Sequence, residues 1–250
     1  MNFQVRSRES ENPAQTSTGS PRSRGRMEHV VAVAGATLTA DPAGTLYWPE
    51  HGLLAVADLH LEKGSSFAAR GQLLPPYDTA ETLARLTRLV ARYAPRVVVA
   101  LGDNFHDSEG PARLAQEDRD NLLALQRGRD WFWLIGNHDP DPADDIGGAF
   151  HAEIAIGALV FRHRPTGADG EIAGHLHPVA RIAHRGRAVS RRCFAADSAH
   201  LIMPAFGAYT GGLNIRDAAF ADLFGTLKFT AHMLGEDRLY SFAAKRCLPD

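Results

Sequence analysis

Five separated stretches of this chain end in side chains that bind metals: Asp58-Leu59-His60, Gly102-Asp103-Asn104, Gly136-Asn137-His138-Asp139, His163, and Gly174-His175-Leu176-His177. Carboxylates, neutral imidazoles and one amide oxygen form a mixed oxygen and nitrogen donor set without cysteine. That set suits manganese, iron, zinc or cobalt better than calcium or magnesium. Donors in this mixture are how a protein builds a two-metal site. Two divalent ions about 3.5–4 Å apart activate a water, hold a phosphate, and stabilise the entering and leaving oxygens. Such a pair needs a shared anionic ligand, because two bare dications repel. Asp103 is the natural bridge, since it lies in a glycine-preceded turn after the most continuously apolar run. The chemistry expected of such a site is metal-dependent phosphoester hydrolysis.

Each stretch follows, or nearly follows, a short apolar run: residues 53–57, 97–101, 131–135, 158–161 and 171–173. A run of that length closed by a polar group or a glycine reads as a buried strand entering a loop. Five strand ends of this kind would converge on one edge of a sheet. Asp58 and His60 alternate by two, so in extended backbone they would face the same side, and His175 and His177 do likewise. Glycine precedes Asp103, Asn137 and His175, where the backbone needs positive φ or close approach to a metal.

In this order the motifs resemble the calcineurin-like metallophosphoesterase superfamily, from about Leu53 to Pro178. The resemblance implies a four-layer α-β-β-α sandwich, with two mixed sheets packed face to face and helices outside. It implies that Asp58, His60, Asp103 and His177 hold one metal, and that Asp103, Asn137, His163 and His175 hold the other. His138 would face the substrate and stabilise the leaving oxygen, with Asp139 orienting it. One departure is visible: the superfamily's G-D-x-x-D motif is here Gly102-Asp103-Asn104-Phe105-His106-Asp107. Either Asp107 takes the supporting role one residue late, or His106 contacts substrate. Residues 58–79, 170–181, 191–195 and 201–214 further resemble the bacterial ligase-associated DNA-damage-response endonuclease group. That implies a metal-dependent DNA endonuclease or phosphodiesterase, working in repair with a ligase and a helicase, manganese being the leading metal. The other readings are a phosphodiesterase or pyrophosphatase on a small nucleotide-type substrate, and a non-catalytic repair adaptor.

Strand and helix signals alternate up to Ile135, which reads as α/β. The segment over residues 75–95 contains the clearest helix, with Asp78 as N-cap, Glu81 at the capping-box spacing, a stripe of Leu83, Leu86, Leu89, Val90 and Tyr93, and Pro95 as stop. A second helix is expected over about 113–127, and short strands and hairpins after 150. With 250 residues and 44% apolar content the chain supports one sizeable core. Residues 27–250 are expected as a single domain, and residues 1–26 as a disordered basic tail. The tail carries five arginines against two glutamates; the chain is formally −2, leaving the remainder near −5. A mildly acidic body does not coat DNA by charge alone.

No stretch has the apolar length of a membrane span and the start has no signal-peptide core. Cys193 and Cys247, unaccompanied, fit reduced thiols in a cytoplasm. A cluster of Arg181, His184, Arg185, Arg187, Arg191 and Arg192 reads as a hairpin turning near Arg185-Gly186 and standing beside the metal site. Arg187, Arg191 and Arg192 are its candidate phosphate contacts, the alternative being a solvated hairpin. Lys63 and Arg70 either clamp phosphate or face solvent. His29, His51, His151, His184, His200 and His232 read as structural or exposed, and Gly211-Gly212 as a turn rather than a phosphate-cradling loop.

Overall fold

A computed structural model describes residues 29–141, 143, 145–225 and 227–250; the expected tail at 1–26 lies outside them. The first sheet holds β1 (His29–Val33), β2 (Ala36–Ala40), β3 (Leu46–Trp48), β4 (Leu53–Val56), β5 (Val97–Ala100), β6 (Asp130–Leu134) and β7 (Ala149–His151), neighbours in chain order. Strands β1 to β4 form an antiparallel meander, and β4 to β7 run parallel. The second sheet contains β8 (Glu153–Ile156), β9 (Leu159–Arg162), β10 (Glu171–Ala173), β11 (Pro178–His184), β12 (Arg187–Ala196), β13 (His200–Ile202), β14 (Leu213–Asn214), β15 (Thr230–Leu234) and β16 (Leu239–Ala243). Within it β9, β10 and β13 are parallel neighbours, whereas the β11/β12 and β15/β16 hairpins are antiparallel.

Three apolar clusters separate four layers. In β4, Leu53 and Ala55 point between the sheets toward Phe161, Ile172 and Phe194. Leu54 and Val56 point the other way, onto Leu83, Leu86, Leu122 and Leu125 of helices α2 (Asp78–Tyr93) and α4 (Gln116–Gln126). A strand covered on both faces has no polar alternation, which is why these segments read as continuous apolar runs. Helix α5 (Ala218–Phe224) closes the outer face of the second sheet with Phe220 and Phe224. Among the described residues the other α-helices are α1 (Lys63–Ala69) and α3 (Gly110–Arg113), both near the first two loops of the site. The expected helix over 113–127 is α4, with the single turn α3 before it.

One expectation fails locally. Asp78 is the first helical residue of α2 and not its N-cap; Tyr77 takes that position without a side-chain cap. The Asp78 carboxylate instead accepts from the Gly64 amide at 3.0 Å, tying the start of α1 to the start of α2. A tertiary partner has displaced the capping box. The helix ends as the sequence requires, Ala94 turning left-handed (φ 42°) ahead of Pro95.

Candidate metal centre

Topology assembles the site. Asp58, Asp103 and Asn137 follow the carboxyl ends of the adjacent parallel strands β4, β5 and β6. His163 and the His175/His177 pair follow those of β9 and β10, also parallel neighbours. Open α/β sheets gather ligands at such ends. Among the described residues Asp58, His60 and His177 form one donor group close enough to hold an ion and Asp103, His163 and His175 a second, while a third, His60, His106 and His138, is all imidazole and shares His60 with the first. Asn137 joins the second through its Oδ1, 3.0 Å from His163 Nε2. The groups touch where His60 Nε2 stands 3.9 Å from Asp103 Oδ2.

The ligands are not on extended backbone, as alternation by two had implied. Asp58, His60, Asp103, His175 and His177 all have left-handed φ, between 43° and 68°. For non-glycine residues that conformation costs roughly 1–2 kcal/mol each, so something must impose it. The amides of His60 and Leu61 donate to the carbonyls of Asp103 and Asn104, both at 2.9 Å, cross-linking the first two loops. Phe206 and Gly207 donate to the carbonyls of Ala57 and Asp58 at 2.8 and 3.1 Å. The glycines serve both of their expected purposes at different places. Gly102 has φ 75°; a Cβ on Gly136 would lie 2.1 Å from the Asp103 amide nitrogen, and one on Gly174 2.6 Å from Asp58 Oδ2.

The electrostatics fit cations. His163 Nδ1 donates to the Leu101 carbonyl at 2.8 Å, which leaves the Nε2 lone pair facing inward. There it meets Asn137 Oδ1, Asp103 Oδ1 and His175 Nδ1 at 3.0, 3.3 and 3.2 Å. Acceptors directed at one another need a positive charge between them. The Asn137 and His138 amides donate to Asp103 Oδ1 at 2.8 and 2.9 Å, but nothing comparable meets the others; a proton satisfies two lone pairs, whereas a divalent ion accepts one from each of the four. The same demand shows in the titration: burial pulls the His163 pKa down, but the Asp103 hydrogen bond and the Asp58 charge outweigh it and the net shift is upward. Burial likewise pushes Asp103 up, and the bond and charge of His163 override it, so its carboxyl is held low. Burial and then His177 hold His60 at about 3, and burial lowers His175. Neutral imidazole is the ligating form. His60 Nδ1, buried without a partner, is a further unsatisfied atom here. The donors present therefore fit the dinuclear centre.

Other candidate residues fall less uniformly. His138 donates from Nδ1 to the His106 carbonyl at 2.8 Å, which fixes its ring and leaves Nε2 on the cleft side, 3.9 Å from Asp103 Oδ2. Asp139 does not orient it. Its Oδ2 accepts from the Asn104 and Phe105 amides at 2.8 and 3.2 Å, bracing the loop behind the ligands, and burial raises its pKa to about 6. Between His106 and Asp107, the cleft belongs to His106, whose ring stacks beside His138 with centroids 5.3 Å apart. Asp107 is tied to Arg113 at 2.6 Å. Lys63 lines a cleft of about 400 Å³ with His60, His106, His138 and His177, and donates to the Tyr209 carbonyl at 3.0 Å. Gly211 and Gly212 line it too; a Cβ on Gly212 would lie 2.5 Å from the His177 carbonyl oxygen, so this turn is held against the site. Arg70 is largely exposed and faces Asp107 at 4.0 Å.

The arginine hairpin is where sequence proximity misled. Its turn is at Arg185-Gly186 as expected (φ 49° and 75°), but β11 runs away from the site for seven residues. At about 3.3 Å per residue the tip stands roughly 20 Å from His177. Arg187 is exposed at that tip, and Arg191 lines a separate groove beside Tyr240 and Phe242. Arg192 is close to the site but committed: it donates to the carbonyls of Ala205 and Gly207 at 3.0 Å and of Thr210 at 2.9 Å. It holds the cleft-lining loop and has no fork left for substrate. Arg164, not singled out in the sequence, lines the far side of the metal centre; its signal was its place directly after His163.

Comparison with known proteins agrees with this geometry. No curated protein sequence matches the chain. The structure of a Pseudomonas putida nuclease, MPE, is similar over 86% of this chain and 100% of that one, at 26% identity and a TM-score of 0.68. A phosphoesterase of E. coli, Yfce, covers 77% of this chain and 98% of its own at 15% identity, and its TM-score of 0.39 is too low to argue from. The calcineurin-like phosphoesterase pattern matches residues 52–182, a span that takes in all seven donors and more than half of the chain. This chain therefore belongs to the calcineurin-like phosphoesterase family and is a metal-dependent phosphoester hydrolase.

Proposed function

We propose that the protein is a two-metal phosphodiesterase that cleaves DNA as an endonuclease. The observation that carries the reading is the convergence of acceptor lone pairs from five strand ends on two adjoining points. Asp58, His60, Asp103 and His177 hold one ion, and Asp103, Asn137, His163 and His175 the other, with manganese the expected occupant. When bound, such a pair supplies Lewis acidity toward the phosphate oxygens and a nucleophilic water at neutral pH. His138, its ring fixed by the His106 carbonyl, places Nε2 where a protonated imidazole donates to the leaving oxygen. Lys63 sets a cation in that cleft for the phosphate backbone of the bound strand.

Nucleic acid as substrate is supported by the similarity to the Pseudomonas putida nuclease and by the open cleft. A role in cytoplasmic DNA repair beside a ligase and a helicase is supported by the resemblance of residues 58–79, 170–181, 191–195 and 201–214. Among the described residues no helix is long and apolar enough to cross a membrane. The test is chelator-treated protein reloaded with manganese, zinc, iron or cobalt and offered circular single-stranded DNA, linear duplex and a small chromogenic diester. Manganese-dependent opening of the circle is the expected result. Hydrolysis of the small diester with every DNA left intact would shift the assignment to small nucleotide-type substrates.

A further inference from the structure

The metal centre has two open sides. On one is the cleft of about 400 Å³ that His60, His138, His175 and His177 share with Lys63. On the other is a second cleft of about 390 Å³, bounded by Gly136, Asn137, His163, Arg162, Arg164 and Thr166. The two have no lining residue in common. They meet at the donor cluster, where His175 of the first lies 3.2 Å from His163 of the second. Asn137 and His138, neighbours in the chain, face different clefts.

Each side carries one surplus cation. In the second cleft Arg162 is consumed: it pairs with Glu153 at 3.0 Å, approaches Glu171 at 3.4 Å, and donates to Thr166 Oγ1 at 2.9 Å. Arg164 is exposed, and among the described residues no carboxylate lies within ion-pair distance of it. In the first cleft Lys63 is the lining cation, with its ammonium held by a neutral carbonyl.

We propose that the two clefts form one groove through which a nucleic-acid strand passes, Lys63 and Arg164 gripping the phosphates on opposite sides of the scissile diester. This rests on the phosphodiesterase reading above and assigns to Arg164 a substrate-binding role. A terminal phosphate needs only one cleft; an internal diester has chain, and therefore charge, on both sides. A groove open at both ends with a cation in each half suits the second substrate. Arg164 is also well suited to the task, because a guanidinium fork matches two phosphate oxygens.

The test uses a dinucleoside monophosphate, with one diester, and two extended forms that carry a methyl-capped phosphate at the 5′ or the 3′ end. The manganese-loaded wild-type protein should gain about ten-fold in kcat/KM from either added phosphate, as for a charge-assisted hydrogen bond. Arg164→Ala should lose the gain from one end only, and Lys63→Ala the gain from the other end only. Each gain is a ratio within one variant, so a general loss of activity does not disturb it. Metal content measured on both variants shows that the centre is filled. If both variants lose the same gain, or neither loses any while wild-type cleaves, the through-groove is wrong and phosphodiester hydrolysis stands. If wild-type opens circular single-stranded DNA under manganese but cleaves none of the three, the groove is wrong and the function stands; if it cleaves neither the circle nor the three, both fall.

Discussion

The strand-end loops and the β11/β12 hairpin carry comparable densities of chemically capable residues, and only the first gathers them at one place. The loops bring six donors from positions as far apart as Asp58 and His177 into two groups whose ligand atoms lie within 4.8 Å of one another, and set Asn137 Oδ1 3.0 Å from His163. The hairpin holds its cations within a dozen residues, yet distributes them over about 20 Å of ribbon, with successive side chains on opposite faces. Parallel neighbouring strands end side by side, so their loops converge whatever the sequence distance. An antiparallel ribbon leads away from its origin. Closeness along the chain and closeness in space are different quantities, and chemistry needs the second.

The contrast can be broken at several points. Asp103→Asn should cause the largest loss, removing a charge from both donor groups. Activity should fall well beyond the about 100-fold typical of residues behind the ligands, and metal analysis should find neither position filled. A variant that still retains two ions would refute the bridging role. His138→Ala should keep both ions but lose about 10²–10⁴-fold in kcat, the range for general acid catalysis. Near-normal turnover on a substrate with a poor leaving group would remove His138 from the reaction. Gly136→Ala tests the crowding that brings the loops together. Its methyl would collide with the Asp103 amide, an overpacking cost of about 1–3 kcal/mol. At this chain size that lowers Tm by roughly 2–10 °C, with weaker metal binding; unchanged melting would show that the loops yield easily.

The hairpin provides the small effects. Arg192→Ala should lower the activity toward DNA and toward a small diester by the same modest factor, since it removes the support of residues 205–210 and no phosphate contact. A loss confined to DNA would restore Arg192 as a substrate contact. Arg187→Ala, at the exposed tip, should alter neither activity nor stability by more than about 0.5 kcal/mol. A large loss of DNA cleavage there would mean that bound DNA reaches the hairpin.

What was legible in the sequence follows from where each signal resides. The buried strands of the first sheet declared themselves because both faces are covered, so periodicity hardly matters and apolar runs remain. The donor residues were legible because metal chemistry limits the residue types, and five recurrences after apolar runs exceed coincidence. Helix α2 was visible in its stripe, but the use made of Asp78 was not: the amide of Gly64, fourteen residues earlier, donates to its carboxylate. Nor was the role of Asp139, since the amides it accepts from belong to the loop after β5. Arg192 looked free and is fully engaged, whereas Arg164 drew no notice and stands open beside His163.

The sequence by itself determined the donor types, their order, the strands that precede them and hence the class of catalyst, because covalent neighbours and residue chemistry are local facts. Only the tertiary structure decided the rest: left-handed backbone at five ligands, the crossing amides that hold it, the orientation of His138 by a backbone carbonyl, and two clefts rather than one. Those features depend on hydrogen bonds and van der Waals contacts between segments distant in the chain, and no local pattern encodes which distant atom fills a given place.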